Sequence, residues 1–276
     1  MRNKRLIILI SVLVGVVALI VIMSAVFTVY NIEARCVENY TAAKEEEIAA
    51  VNAEVETAAS SFKYGSIFLF DEDELASAVN SAVARAEVLN VECLFPNKVR
   101  VEYRYVDDDV CVFSGGKYLV AGSYGKITRV SDRAEEVGDI ISVTPSSAPS
   151  GSAVGQYLYA DGAFDGMAID VFLNYAESLV NSDGKHFRSM YKSIDLSEAL
   201  SYMPKITVVM EDGLTFEVNG SLNMAGENST FADRGTLEKA VSALAGFYAE
   251  HGPETQGKVT VQYIGGEFVV SSNPSA

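Results

Sequence analysis

The stretch Leu89-Asn90-Val91-Glu92-Cys93-Leu94-Phe95-Pro96-Asn97-Lys98-Val99-Arg100-Val101-Glu102-Tyr103-Arg104-Tyr105 decides how the first half of this chain folds. Val99, Val101, Tyr103 and Tyr105 alternate with Lys98, Arg100, Glu102 and Arg104, and a period of two places the apolar set on one face of a strand and the charged set on the other. Leu89, Val91, Cys93 and Phe95 repeat that period before a Pro96-Asn97 turn, so the stretch predicts a hairpin with one buried face. A sheet with one apolar face needs a cover, and the residues upstream supply two helices. Residues 41 to 59 are rich in Ala and Glu, with Ile48, Val51 and Val55 at helical spacing. Asp71 and Glu74 make a D-x-x-E variant of the capping box ahead of Leu75, Val79 and Val83. With a β-compatible segment at Val29 to Val37, the predicted order over residues 30–106 is strand, helix, helix, strand, strand.

Before this unit, Leu6 to Val29 is a run of twenty-four residues without a charge, preceded by Arg2, Lys4 and Arg5. At about 1.5 Å per residue it would reach roughly 36 Å, against about 30 Å of hydrocarbon, which predicts one transmembrane helix over residues 6–29. The run is longer than the about 7 to 15 apolar residues of a signal peptide, and no A-x-A-like cleavage site follows it. Lys and Arg stay on the cytoplasmic side, so residues 1–5 are expected to form a cytoplasmic tail with the rest of the chain outside. The net charge of −16 becomes −19 once the three cations of that tail are set apart. So acidic a portion will not bind nucleic acid or an anionic surface through bulk electrostatics, and its expected partner is a protein.

Beyond residue 106 the chain reads as one β-rich unit over residues 107–272, with a tail at 273–276. Val110 to Phe113 and Tyr118 to Ala121 flank a Ser114-Gly115-Gly116-Lys117 turn, and Lys126 to Val130 follows a glycine-containing bend. Thr144 to Gly155, crowded with Ser, Pro and Gly, reads as a loop. Met167, Val171, Tyr175 and Leu179 at four-residue steps predict a helix covering a sheet face. Phe187 to Ile194 is strand-like. Lys205 to Met210 joins Leu214, Phe216 and Val218 through Asp212-Gly213, a strong hairpin signal. A last helix carries Leu237, Val241, Leu244 and Tyr248, with His251 in its final turn and Gly252-Pro253 as a stop. Val259 to Ile264, Gly265-Gly266 and Phe268 to Val270 close the unit as a hairpin.

Few residues point to chemistry. His186 and His251 are the two groups that titrate near neutrality without a large shift, and neither lies in a recognisable constellation. No metal, phosphate-loop or nucleophile motif is present, so no catalytic residue, metal or cofactor is expected. Carboxylate pairs from distant segments are invisible in one sequence, and a wall-processing enzyme remains a reading that such a pair would support. Asp107, Asp108 and Asp109 fan in different directions on an extended chain, which favours a solvated loop between domains over a calcium site. Cys36, Cys93 and Cys111 allow at most one intramolecular bridge, and Cys93 reads as a small buried hydrophobe.

In its order of elements the chain resembles the FtsQ/DivIB family of bacterial cell-division proteins: a short inside tail, one membrane helix, a POTRA domain and an extracytoplasmic β domain. Residues 89–101 are similar to the family's apolar strand, aromatic-Pro turn and alternating strand. Gly116-Lys117-Tyr118-Leu119-Val120 with Gly125-Lys126-Ile127 resembles the segment that opens the β domain, although Ala121 stands where the family has Asp and one extra residue precedes Gly125. The resemblance implies a fold of α+β class and a non-enzymatic scaffold in the cell membrane, enriched at the septum. It further implies partners of the FtsB/DivIC and FtsL type, small single-span coiled-coil proteins, and no small-molecule substrate. It places partner binding on the terminal hairpin, Val259, Val261, Tyr263, Ile264, Phe268 and Val270, with the Tyr263 ring either offered to the partner or held in the domain's own core. A POTRA-bearing chaperone module in secretion is the alternative binding function.

Overall fold

The computed structural model describes residues 2–37, 44–180, 184–221, 229–252, 255 and 257–271, with side chains from Ile10 to Val270. The chain divides into two compact units, Met1–Tyr105 and Val106–Ala276. Met1, the side chains of Arg2, Lys4 and Arg5, the tail 273–276, Asp183 and the stop at Pro253 lie outside this description.

The first unit opens with helix α1, Arg2–Val26. The expected transmembrane helix over residues 6–29 needs correction: among the described residues, no helix is long and apolar enough to cross a membrane. Part of the reason is that the last three residues of that run belong to the globular fold. Val29 is fully buried in the core of the unit. Its N–H donates to Gly65 O at 2.9 Å, Ile67 N–H donates to Phe27 O at 2.9 Å, and Thr28 bridges to Ser66.

A three-stranded sheet follows, built from β1 (Asn31–Cys36), β2 (Ala86–Leu94) and β3 (Lys98–Tyr105). Its order is β1-β3-β2, with β3 parallel to β1 and antiparallel to β2. The alternation in β3 works as read: Val99, Val101, Tyr103 and Tyr105 are buried. Lys98, Arg100, Glu102 and Arg104 face the other way and pair with Glu33, Glu92, Arg35 and Glu87 across the strands. Helices α2 (Glu45–Ala58) and α3 (Glu72–Ala82) cover the apolar face with Val51, Val55, Leu75 and Val79. Asp71 Oδ1 accepts from Glu74 N–H at 2.9 Å and caps α3. Tyr103 donates to Asn52 Oδ1 at 2.9 Å and Tyr105 to Glu47 Oε2 at 2.6 Å, which tie α2 to the sheet. One expectation fails inside β2. A bulge between Val88 and Asn90 shifts the register. Ala86 and Val88 therefore face inward before it and Val91 and Cys93 after it, while Leu89 and Phe95 are exposed.

The second unit is a nine-stranded mixed sheet. Its strands are β4 (Val110–Ser114), β5 (Lys117–Ala121), β6 (Ile127–Ser131), β7 (Ile141–Thr144), β8 (Tyr191–Asp195), β9 (Lys205–Met210), β10 (Thr215–Asn219), β11 (Lys258–Ile264) and β12 (Glu267–Ser271). The spatial order is β12-β11-β10-β9-β8-β7-β4-β5-β6. β7 and β8 are parallel neighbours, as are β10 and β11, and each pair needs a crossover. The first crossover carries α4 (Phe164–Asp170), which continues into one π turn, Val171–Tyr175. The second carries α5 (Arg234–His251), capped by Asp233 accepting from Thr236 N–H at 2.9 Å. Phe172, Leu173, Leu237, Val241 and Leu244 from these helices share one core with Val110, Val112, Ile194, Ile206, Val208, Phe216, Val259 and Val261. A π turn interrupts the helix, yet Val171 is buried in that core and Met167, Tyr175 and Leu179 pack partly against it, as the four-residue stepping requires. The segment expected as a strand from Phe187 forms a 3₁₀ turn, Phe187–Met190, before β8 begins. β7, four residues long, is not apparent in the sequence pattern.

Candidate partner-binding edge

β11 and β12 form the terminal hairpin, with Ile264 opposite Glu267, Tyr263 opposite Phe268 and Val261 opposite Val270. Gly265 and Gly266 hold φ of 61° and 93°, the left-handed conformation that a two-residue turn between strands requires. In such a hairpin the closing pair exchanges both hydrogen bonds, and bonding alternates along the strands from there. The N–H and C=O of Glu267 and Val269 therefore turn toward β11, while those of Phe268 and Val270 turn outward. β12 is the last strand of the sheet, so the outward groups line an edge.

The residues expected to bind a partner divide between the two faces of this hairpin. Val259 and Val261 are buried in the core of the unit and seat β11 beneath the helices. Phe268 and Val270 pack partly against the same core. Phe268 stacks on Phe231 with centroids 6.3 Å apart and planes at 9°. The Tyr263 ring is half-buried on this face, 5.0 Å from Phe268. On the other face Ile264 is 57 % exposed, and Val269, which the sequence reading did not include, is 49 % exposed. Lys239 of α5 reaches Gly266 O at 3.0 Å and Glu267 Oε1 at 3.1 Å, pinning the turn to the helix layer.

The opposite edge of the sheet is closed by the chain itself. Beside β6, Ile127 N–H donates to Gln156 O at 2.7 Å, Gly155 N–H donates to Ile127 O at 2.8 Å, and Lys126 bridges to Tyr157. Arg129 donates to Glu136 O at 2.5 Å, to Val137 O at 2.6 Å and to Asp108 at 2.8 Å, folding the segment after β6 back over it. An edge strand is a template for another chain unless it is covered. Covering applies to β6; among the described residues, no backbone hydrogen bond is recorded on the outer side of β12.

A second feature lies away from the edge. Asp108, Asp109, Asp139, Glu177, Arg188 and Glu211 line a cleft of about 500 Å³ at one end of β4, β7 and β8. The acidic run is tied down rather than solvated, contrary to the sequence reading: Asp108 accepts from Thr128 Oγ1 at 2.6 Å and pairs with Arg129. Asp109 pairs with Arg188 and accepts from Ser123 N–H at 2.7 Å. Burial pushes the Asp109 carboxyl above the usual carboxylate range, against the pull of Arg188 and the Ser123 amide. Among the described residues no group of three or more acidic, His or Cys side chains is arranged to hold a metal ion. His186 Nδ1 lies 2.6 Å from Glu177 O, and the His251 ring packs 5.1 Å from Phe247. All three cysteines are free thiols. Burial, with Glu72 beside it, pushes the Cys93 thiol up to about 11, and burial also raises Cys111.

No protein-family model matches the chain, and no curated protein matches it.

Proposed function

We propose that the chain is a non-enzymatic scaffold of the bacterial division machinery, working at the cell membrane and bridging division proteins during septum formation. The observation that carries this reading is the asymmetry of the nine-stranded sheet: β6 is covered by the chain's own segments, while β12 offers the outward N–H and C=O groups of Phe268 and Val270. The strand-helix-helix-strand-strand order of the first unit and the resemblance of residues 89–101 and 259–270 to the FtsQ/DivIB family support it. The partners proposed are small single-span coiled-coil proteins of the FtsB/DivIC and FtsL type, which would add a strand to β12.

Backbone pairing alone does not hold such a partner. Four outward groups at about 1 kcal/mol net each supply about 4 kcal/mol, while ordering a flexible strand costs about 1 to 2 kcal/mol per residue. The remainder must come from side chains, and Ile264 and Val269 on one face with Tyr263 and Phe268 on the other are placed to provide it. Confinement of both partners at one membrane raises their effective concentration further.

The test is capture of membrane proteins by the tagged full chain, wild type beside Val270→Pro. Proline at a position whose N–H points outward removes one donor and blocks the neighbouring strand without breaking the β11–β12 ladder. Small single-span coiled-coil proteins captured by the wild type and lost from the variant are the expected result. Equal capture by both chains removes β12 as the interface, and their absence from the wild type removes the scaffold reading. Deleting residues 258–276 is a poorer test, because it takes Val259 and Val261 out of the core.

A further inference from the structure

Beyond α1, the four most exposed large apolar side chains described in the first unit lie on two short segments, residues 63–70 and 94–98. Tyr64 is 77 % exposed, Phe68 62 %, Leu69 86 % and Phe95 63 %. The rings of Phe27, Phe68 and Phe95 touch one another, with centroids 4.9, 5.7 and 6.4 Å apart, and Tyr30 stands edge-on to Tyr64 at 6.1 Å. The backbone beneath is fixed: Tyr64 N–H donates to Val29 O at 2.8 Å, Tyr30 N–H to Asn97 O at 3.0 Å, and Ile67 is buried in the core of the unit. Tyr64 holds φ at 70°, a left-handed conformation that costs a non-glycine residue of order 1 kcal/mol. The fold thus holds a rigid aromatic platform outward.

Its electrostatics differ from those of the rest of the chain. The three segments that build it, residues 27–31, 63–70 and 94–98, contain no Asp or Glu and two lysines, Lys63 and Lys98, in a chain with 37 acidic residues. Lys98 is paired with Glu33, Lys63 precedes Tyr64 in the chain, and the acidic run Asp71 to Glu74 begins directly after Phe70. The platform also continues directly from α1, where Leu19, Ile20, Val21 and Ile22 are each 59 to 61 % exposed. Four consecutive helical residues point in all directions around the axis. A protein groove covers one stripe of a helix, whereas a lipid surface can meet the platform and the apolar residues of α1 that adjoin it together.

We propose that the Phe27-Phe68-Phe95 platform, with Tyr64 and Leu69, is a lipid-docking surface that seats the first unit on a bilayer, with the rings at the boundary of headgroups and acyl chains. The inference rests on the reading that the chain works at a membrane and does not require α1 to cross it.

The chain contains no tryptophan, so a single introduced one reports its own surroundings. The full chain carrying Leu69→Trp is mixed with vesicles of phosphatidylglycerol and phosphatidylcholine brominated high on the acyl chains; Phe113→Trp, 57 % exposed in the second unit, is the control. Both positions are open enough for the substitution to leave the core intact. The expected result is co-flotation of both variants, with fluorescence at position 69 quenched about twofold or more and position 113 unaffected. Flotation without quenching at 69 overturns the docking surface and leaves the membrane reading standing; failure to float overturns both. Protection of position 69 from an aqueous quencher that grows with protein concentration, without bromine quenching, shows a second copy covering the platform and overturns the proposal.

Discussion

Arg188→Met tests how the acidic entrance to β4 is held. The Asp109 and Arg188 side chains are 12 % and 21 % exposed, and methionine preserves most of the arginine stem while removing its charge. Removing one partner of a buried pair costs about 3 to 5 kcal/mol, because the other charge is left without its counter-ion. Arg188 retains some contact with water, and Asp109 keeps the Ser123 amide at 2.7 Å. We therefore expect a loss of about 2 to 3 kcal/mol at neutral pH. The pH dependence follows from the direction of the shift. Burial already raises the Asp109 carboxyl and Arg188 opposes that rise, so the variant raises it further. A carboxyl with a native pKa above its unfolded value contributes stability below the unfolded pKa and loses it as pH climbs through the native one. The deficit of the variant is then largest at neutral pH and closes on acidification toward the raised native pKa. Urea unfolding of the full chain in mild detergent, followed by circular dichroism across a pH series, measures it. Adding Asp109→Asn should recover most of the loss, since no unpaired charge then remains buried. A deficit below about 1 kcal/mol at neutral pH, one that does not narrow with acid, or a double variant no better than the single would refute this account of the pair.

Three other changes bear on the fold. Val269→Pro, whose N–H lies in the β11–β12 ladder, should cost about 1 to 3 kcal/mol in urea unfolding, whereas Val270→Pro should cost less than about 1 kcal/mol. Gly122→Ala places a Cβ 2.5 Å from Val106 Cγ1 and 3.2 Å from Asp107 O, so a loss of about 1 to 3 kcal/mol is expected from thermal unfolding. Cys93, its thiol pushed up to about 11, should alkylate on the order of a hundredfold more slowly than a free thiol at mildly alkaline pH, as read by mass spectrometry of a time course.

Much of the local structure was legible because it depends on neighbours in the chain. The alternation from Lys98 to Tyr105, the Asp71 cap, the Asp212-Gly213 turn and the Gly265-Gly266 turn all report contacts within a few residues, and each forms as its pattern requires. The terminal hairpin was legible for the same reason. Which of its residues face the core was not, because burial of Val259 and Val261 depends on α5 lying across β11. Val269 was overlooked for the matching reason: of two adjacent valines, Val269 and Val270, the strand does not show which faces the core.

Other features follow from partners far away in sequence. The run from Leu6 to Val29 reads as one uninterrupted apolar segment, yet Phe27 to Val29 are claimed by Gly65, Ser66 and Ile67. The bulge at Val88 and Asn90 reverses the facing of Leu89, and period counting carries across such a shift unaware. The capture of Asp109 by Arg188, the placement of β7 between β4 and β8, and the closure of the β6 edge by residues 133–137 and 150–158 join segments distant in the chain. Periodicity and turn chemistry act through the adjacent backbone and are therefore written locally. Which strand is left at the edge among the described residues is decided by what other segments cover, and that depends on the assembled sheet.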